Sequence, residues 1–235
     1  MGTAIVARLA GIVAPPGCAA CGERCDAAAP LCPACRRELA RTKPVTGPPP
    51  PGIDRAVAAA EFEGVTRRIV HGLKYGRRLS LARVAASAML AALPGDERPD
   101  AVVSVPAGPW RWRWRGFDPA EEIAIALADR GGLRLSPCLR RSDGRRQVGR
   151  RRLERLSDPP RVWVAGAVPG AALLVDDVLT TGATLAACAR ALRADGCRRV
   201  VALTLARSGT SRTRLPDHGA ARRIRPRQPE GRRPR

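Results

Sequence analysis

Residues Leu173 to Thr184 read LLVDDVLTTGAT, an apolar run that ends in two adjacent carboxylates and passes into a Thr/Gly-rich turn ahead of an Ala-rich stretch. Ala172, Leu173, Leu174 and Val175 predict a buried parallel strand whose carboxyl end opens onto a crevice, where open α/β sheets bind their ligands. Thr180, Thr181, Gly182, Ala183 and Thr184 bring small residues, hydroxyls and unpaired backbone N–H groups to the start of a helix expected from about Leu185 to Ala194. A phosphate dianion suits such a helix start. Ionised Asp176 and Asp177 accept hydrogen bonds but donate none, so they suit two sugar hydroxyls or the water shell of Mg²⁺. The plainer reading is an acidic strand end that caps an ordinary helix, but VDD followed by TTGAT is more specific than a lone Gly-rich loop.

Working outward, Cys18-Ala-Ala-Cys21 and Cys32-Pro-Ala-Cys35 form two CxxC knuckles with ten residues between them. Four soft thiolates suit one tetrahedral Zn²⁺, and four protein sulfurs leave no open position, so the expected site is structural. A pair of disulfides is the competing reading; no secretory signal accompanies the cysteines. Cys25 lies between the knuckles with poorer spacing and is read as a spare. Cys138, Cys188 and Cys197 sit alone in apolar or helical contexts and read as buried thiols.

On the Leu173–Thr184 stretch the chain resembles the type I phosphoribosyltransferases. The resemblance implies that Asp176 and Asp177, the expected catalytic pair, hold the ribose hydroxyls of phosphoribosyl pyrophosphate. It also implies that Thr180 to Thr184 wrap the 5′-phosphate while Mg²⁺ rides on the pyrophosphate. Hypoxanthine–guanine enzymes carry a carboxylate base at the position of Thr180, and a hydroxyl cannot act as that base at neutral pH. Salvage of 6-oxopurines is therefore not expected.

Both constellations together resemble the ComF family, the ComFC-type proteins linked to DNA uptake in bacterial natural competence. Leu73-Lys74-Tyr75 matches the family's LK(F/Y) segment, and Val102 to Pro106 the strand and turn that face pyrophosphate. Arg113 to Phe117 matches RxRGF, Gln147 and Arg155 a later Q…R pair, and Ala202 to Arg207 the closing strand. Three departures stand out: Asp118 replaces the usual Asn, Pro119 a common Gln, and Asp158 another Asn, so the acceptor end differs more than the phosphate end. The resemblance implies a type I phosphoribosyltransferase-like α/β fold, a parallel sheet flanked by helices and preceded by a small four-Cys zinc ribbon. The expected ligand contacts are Lys74, Tyr75, Val105, Pro106, Arg113 and Arg115 together with the acids and the Thr/Gly turn. The partners it implies are phosphoribosyl pyrophosphate and, for a competence role, single-stranded DNA and other competence proteins.

With 235 residues and 45% hydrophobic content, one substantial core plus a small metal-held module is expected. The expected division is residues 1–40 for the N-terminal segment and zinc ribbon, 41–52 for a proline-rich linker, 53–207 for the main domain and 208–235 for a basic tail too poor in apolar residues to fold. Strands are expected at Arg55 to Phe62 and Ala101 to Val105, and helical pattern at Val65 to Leu93 with a break near Tyr75-Gly76. A further helix is expected from Pro119 to about Asp129, capped by Asp118. Alternation of this kind predicts helices packed on a parallel sheet. Residues 139–160, Arg-rich and broken by Gly and Pro, read either as a mobile catalytic loop or as a solvated surface loop.

The net charge of +21 and the isoelectric point near 11.5 point to polyanionic partners. Nearly all of this charge is arginine, with Lys43 and Lys74 the only lysines. In the run PWRWRWR (Pro109 to Arg115), Trp110, Trp112 and Trp114 alternate with Arg111, Arg113 and Arg115. That period predicts an extended segment with the aromatics against the core; base stacking by the tryptophans stays open. His71 reads as a packing or surface histidine, and His218 falls in the tail. Residues Ala4 to Ala14 are apolar but short and interrupted by Arg8, so no membrane span and a cytoplasmic location are expected. Three functions remain: a phosphoribosyl-pyrophosphate-dependent pentosyl transferase linked to DNA uptake, a non-catalytic DNA-binding factor, and a nucleobase-salvage enzyme.

Overall fold

The computed structural model describes residues 17–26, 29–142 and 161–209. Its elements run in the order α1 (Pro33–Ala40), β1 (Val45–Thr46), β2 (Arg55–Glu61), α2 (Gly64–Gly76), α3 (Ser80–Ala92), β3 (Ala101–Ser104), α4 (Pro109–Arg115), α5 (Pro119–Gly131), β4 (Arg134–Leu135), β5 (Leu139–Ser142), β6 (Arg161–Val164), β7 (Ala171–Leu179), α6 (Ala183–Ala194) and β8 (Arg199–Arg207). Six strands make one sheet in the order β1-β2-β8-β7-β3-β4, and β5 and β6 pair separately as an antiparallel ladder. All neighbours in the large sheet are parallel except β1 against β2.

Period-two alternation along the strands divides the core between the two faces. Leu173 and Val175 of β7 join Val201, Leu203 and Leu205 of β8 in one cluster with Ile69 and Leu73 of α2, Leu81 and Met89 of α3, and Ile123 and Leu127 of α5. Ala172 and Leu174 point the other way, into a second cluster with Leu185, Cys188 and Leu192 of α6. The buried thiols expected at Cys138, Cys188 and Cys197 all fall in this second core.

Several elements follow the sequence pattern closely. The helical stretch breaks after Gly76, where Arg77 takes a left-handed φ of 49°. Asp118 caps α5 by accepting from the Ala120 amide at 3.0 Å, and Pro119 occupies the first turn. The Trp/Arg run departs from expectation. It is a helix, not an extended strip, because Pro109 sits in its first turn and left-handed Gly116 closes it. A 3.6-residue period places Trp110 and Trp114 on one side and Trp112 on the other. They are 62%, 69% and 55% exposed respectively, so the aromatics face solvent and not the core.

Within the proline-rich stretch, Val45-Thr46 extend the sheet beside β2, Pro50 lies against Gly182, and Gly52 lies against Ala189. The middle of the expected catalytic loop, with Gln147, Arg155 and Asp158, lies outside the described residues, as do the basic tail from residue 210 and the apolar segment Ala4 to Ala14. Among the described residues no helix is long and apolar enough to cross a membrane.

Candidate functional site

The chain leaves β3 through α5 to reach β4 on one side, and leaves β7 through α6 to reach β8 on the other. Connections that diverge from adjacent parallel strands open a crevice at their carboxyl ends. Register sharpens this opening. β3 stops at Ser104, opposite Val175, while β7 continues to Leu179 with only β8 beside it. Asp176 and Asp177 therefore lie inside the strand, just past the end of β3, and the turn Val105-Pro106-Ala107 sits next to them. The Val105 amide donates to the Val175 carbonyl at 2.9 Å.

Because successive strand residues point to opposite faces, the two acids diverge. Asp177 lies on the α2 side, where its Oδ1 is 2.7 Å from Lys74 Nζ. Asp176 lies on the α6 side and accepts from the Asp177 amide at 2.8 Å. Burial, and then the negative charge of Asp177, push the Asp176 carboxyl up to about 8. A third carboxylate borders the site. Asp118 Oδ2 accepts from the Ala107 amide at 2.6 Å and so ties the β3 turn to the start of α5. Burial raises its affinity for a proton despite the amides of Ala107 and Ala120. An acceptor-only carboxylate suits a position that meets two N–H donors.

Thr180, Thr181 and Ala183 are exposed at the start of α6. The Ala183 amide points to Thr181 Oγ1 at 3.4 Å. Gly182 adopts φ 74° as the N-cap, and the first helical bond runs from the Ala186 amide to its carbonyl. The amides of Thr184 and Leu185 consequently have no intrahelical acceptor, as at any helix start. A Cβ on Gly182 would come within 2.5 Å of Pro50 Cγ. Gly182→Ala is expected to lose about 2 kcal/mol by denaturant titration, from the left-handed backbone and this contact together. Pairing it with Pro50→Ala should recover only the part due to the contact. The role of the proline segment here was not legible in the sequence, since nothing local joins residues 132 positions apart.

Of the remaining expected contacts, Tyr75 is exposed and Arg115 lies over its ring at 5.4 Å. Arg113 is exposed on α4 without a contact to the acids. His71 packs edge-on to Tyr75, with ring centroids 5.6 Å apart.

The sulfurs of Cys18, Cys21, Cys32 and Cys35 all lie within 4.8 Å of one another. All eight cysteines are free thiols. Cys21 and Cys32 are 3.8 Å apart, and a tetrahedron with metal–sulfur bonds of about 2.3 Å has edges of about 3.8 Å. The donor set therefore fits a structural zinc ion. Although burial opposes it, the amides of Cys32, Cys21 and Ala20 bring the Cys18 thiol down to about 6. Burial and the neighbouring thiols push Cys35 up to about 12. Cys25 stands apart, its sulfur 3.5 Å from the Ala29 carbonyl.

No protein-family model matches the chain. It is 28% identical over 207 residues to the DNA utilization protein YhgH of Salmonella typhimurium strain LT2, covering 81% of this chain and 90% of that one. The orotate phosphoribosyltransferase of Aeropyrum pernix superposes with a TM-score of only 0.35, at 23% identity over 56% of this chain and 76% of its own. The chain is thus similar to YhgH along nearly all of that protein's length, and it combines a four-sulfur module with a mostly parallel six-stranded sheet.

Proposed function

We propose that the carboxyl edge of the sheet binds phosphoribosyl pyrophosphate with Mg²⁺, and that the protein serves DNA uptake in natural transformation. The observation that carries the first part is the placement of Asp176 and Asp177 past the end of β3, between the Val105–Ala107 turn and the hydroxyl-bearing start of α6. The name of the Salmonella relative supports the second. In this reading the acids orient the ribose hydroxyls, Thr180 to Thr184 receive the 5′-phosphate, and Lys74 and Arg115 supply positive charge. Bound Mg²⁺ would neutralise the pyrophosphate, with Asp176 and Asp177 able to hold its water shell. Pentosyl transfer at such a site is mainly positional and electrostatic, the carboxylates stabilising a cationic ribose ring.

Calorimetric titration with phosphoribosyl pyrophosphate and Mg²⁺ tests the reading. Asp177→Asn should weaken binding at least about tenfold, equivalent to 1.4 kcal/mol; undiminished affinity would reject the assignment. Pyrophosphate release across a panel of nucleobases then asks whether the site turns over.

Exposure of Tyr75, Trp110, Trp112 and Trp114 favours a second reading, in which the protein binds single-stranded DNA without catalysis. Base–aromatic stacking contributes about 1–3 kcal/mol per base. Trp112→Ala should therefore weaken an electrophoretic shift with single-stranded DNA while leaving the calorimetric titration unchanged.

A further inference from the structure

Arg68, near the start of α2, reaches back to the four-sulfur cluster. Its Nη2 donates to Glu38 Oε2 and to Cys35 Sγ, the latter at 3.9 Å. Glu38 is itself held, because its other oxygen accepts from the Val65 amide at 2.7 Å. A chain of contacts therefore runs from the first turn of α2 through a carboxylate and a guanidinium to a sulfur. Among the described residues, Arg68 Nε is a buried donor with no acceptor. Such a donor costs free energy unless nearby negative charge compensates it.

The cysteines supply that charge once they hold an ion. Four thiolates around one divalent cation leave two negative charges in excess, and Cys18, Cys32 and Cys35 are buried. Buried charge needs a partner. Arg78 brings a second guanidinium to the module, where it binds oxygen, at the carbonyls of Cys18 and Ala19. We propose that Arg68 is a positioning residue of the cysteine site, a donor behind Cys35 that holds its sulfur as an anionic metal ligand; this rests on the zinc reading of the four cysteines. Glu38 then does what a carboxylate does behind a metal-bound histidine, fixing the direction of the group that meets the metal site. The planar, permanently charged guanidinium suits a place between a carboxylate and a thiolate better than the point charge of a lysine on its flexible stem. A charge-assisted N–H directed at the thiolate also lowers the energy of the sulfur lone pairs.

The test loads the full chain with Zn²⁺ or Co²⁺ and compares wild type, Arg68→Gln, Arg68→Lys and Arg67→Gln. Competition against a chelator of known affinity should show Arg68→Gln holding Zn²⁺ about 10–100-fold more weakly, the usual effect of removing a group that supports a metal ligand. In the Co²⁺ form of that variant the sulfur-to-cobalt charge-transfer band should move to lower energy, since the sulfur lone pairs rise when the N–H is lost. Arg68→Lys keeps the charge without the fork and should show smaller changes in the same direction. Arg67→Gln removes an exposed guanidinium one residue away and should match wild type in both measurements. Unchanged affinity and an unmoved band in Arg68→Gln, with one ion still bound per chain, would overturn the role of Arg68 and leave the zinc reading standing. Weaker affinity with an unmoved band would overturn it too, because Arg68 would then act only by joining α1 to α2 through Glu38. A wild-type chain that binds neither ion would overturn the zinc reading itself, and this proposal with it.

Discussion

Loss of the four-sulfur site is expected to do more than unfold a small module: Cys32→Ser should lower the melting temperature by roughly 10 °C, about 3 kcal/mol in a chain of this size. Structural zinc supplies folding free energy that a module this small cannot replace with a core. The module is also joined to the start of α2 and to the turn just past its end. Glu38 of α1 accepts from the Val65 amide at 2.7 Å and pairs with Arg68. At the other end Arg78 donates to the carbonyls of Ala19 at 2.7 Å and Cys18 at 3.3 Å. Between them, Cys18, Cys32 and Cys35 share one apolar cluster with Ile69 and Leu73. Lys74, the partner of Asp177, follows directly on α2. Hydrogen exchange at Ile69–Lys74 should therefore accelerate when a chelator removes the ion, and metal analysis should find one ion per chain beforehand. An unchanged melting temperature after complete removal would refute this dependence.

Asp176→Asn is expected to stabilise the unliganded protein while weakening its ligand. Asparagine keeps the oxygen that accepts the Asp177 amide and removes a charge that burial and Asp177 disfavour. The sign follows from linkage. The folded carboxyl holds its proton up to about 8, whereas the unfolded one releases it near its ordinary value of 3.8. Below pH 4 both states are protonated and the substitution should be nearly neutral. Between pH 4 and 8 the native aspartate loses stability as pH rises, and above 8 that loss is complete. The variant should show no such decline from this group, and at pH 8 should gain about 1–3 kcal/mol, the scale of a buried polar group left unsatisfied. Thermal melts of both proteins from pH 4 to 9 measure it. Curves that stay parallel across that range would show that Asp176 is not desolvated. A gain in stability paired with a loss of affinity is the behaviour of a group retained for binding, not for folding.

Much of the fold was legible in the chain. Apolar runs at Ala172–Val175 and Ala101–Val105 became β7 and β3, and Asp118-Pro119 opened α5 as a cap and first-turn proline do. The Trp/Arg run misled because alternation is ambiguous over seven residues: the same pattern suits a strand, and the terminal Pro109 and Gly116 decided for a helix. Local chemistry also marked the four cysteines and the acid pair, since CxxC spacing and VDD-TTGAT are contiguous in sequence.

What the sequence alone determined, then, is the set of candidate metal- and ligand-binding groups and most of the elements that carry them, because propensity, period and ligand spacing act within a few residues. Tertiary structure alone decided that Lys74 faces Asp177 and not Asp176, that Pro50 braces Gly182, that Asp118 holds the Ala107 amide, and that the cysteine module grips the start of α2 and the turn just past its end. Each of these joins residues at least 11 positions apart. Strand register and helix packing create such contacts only once the sheet has formed, so no local pattern encodes them.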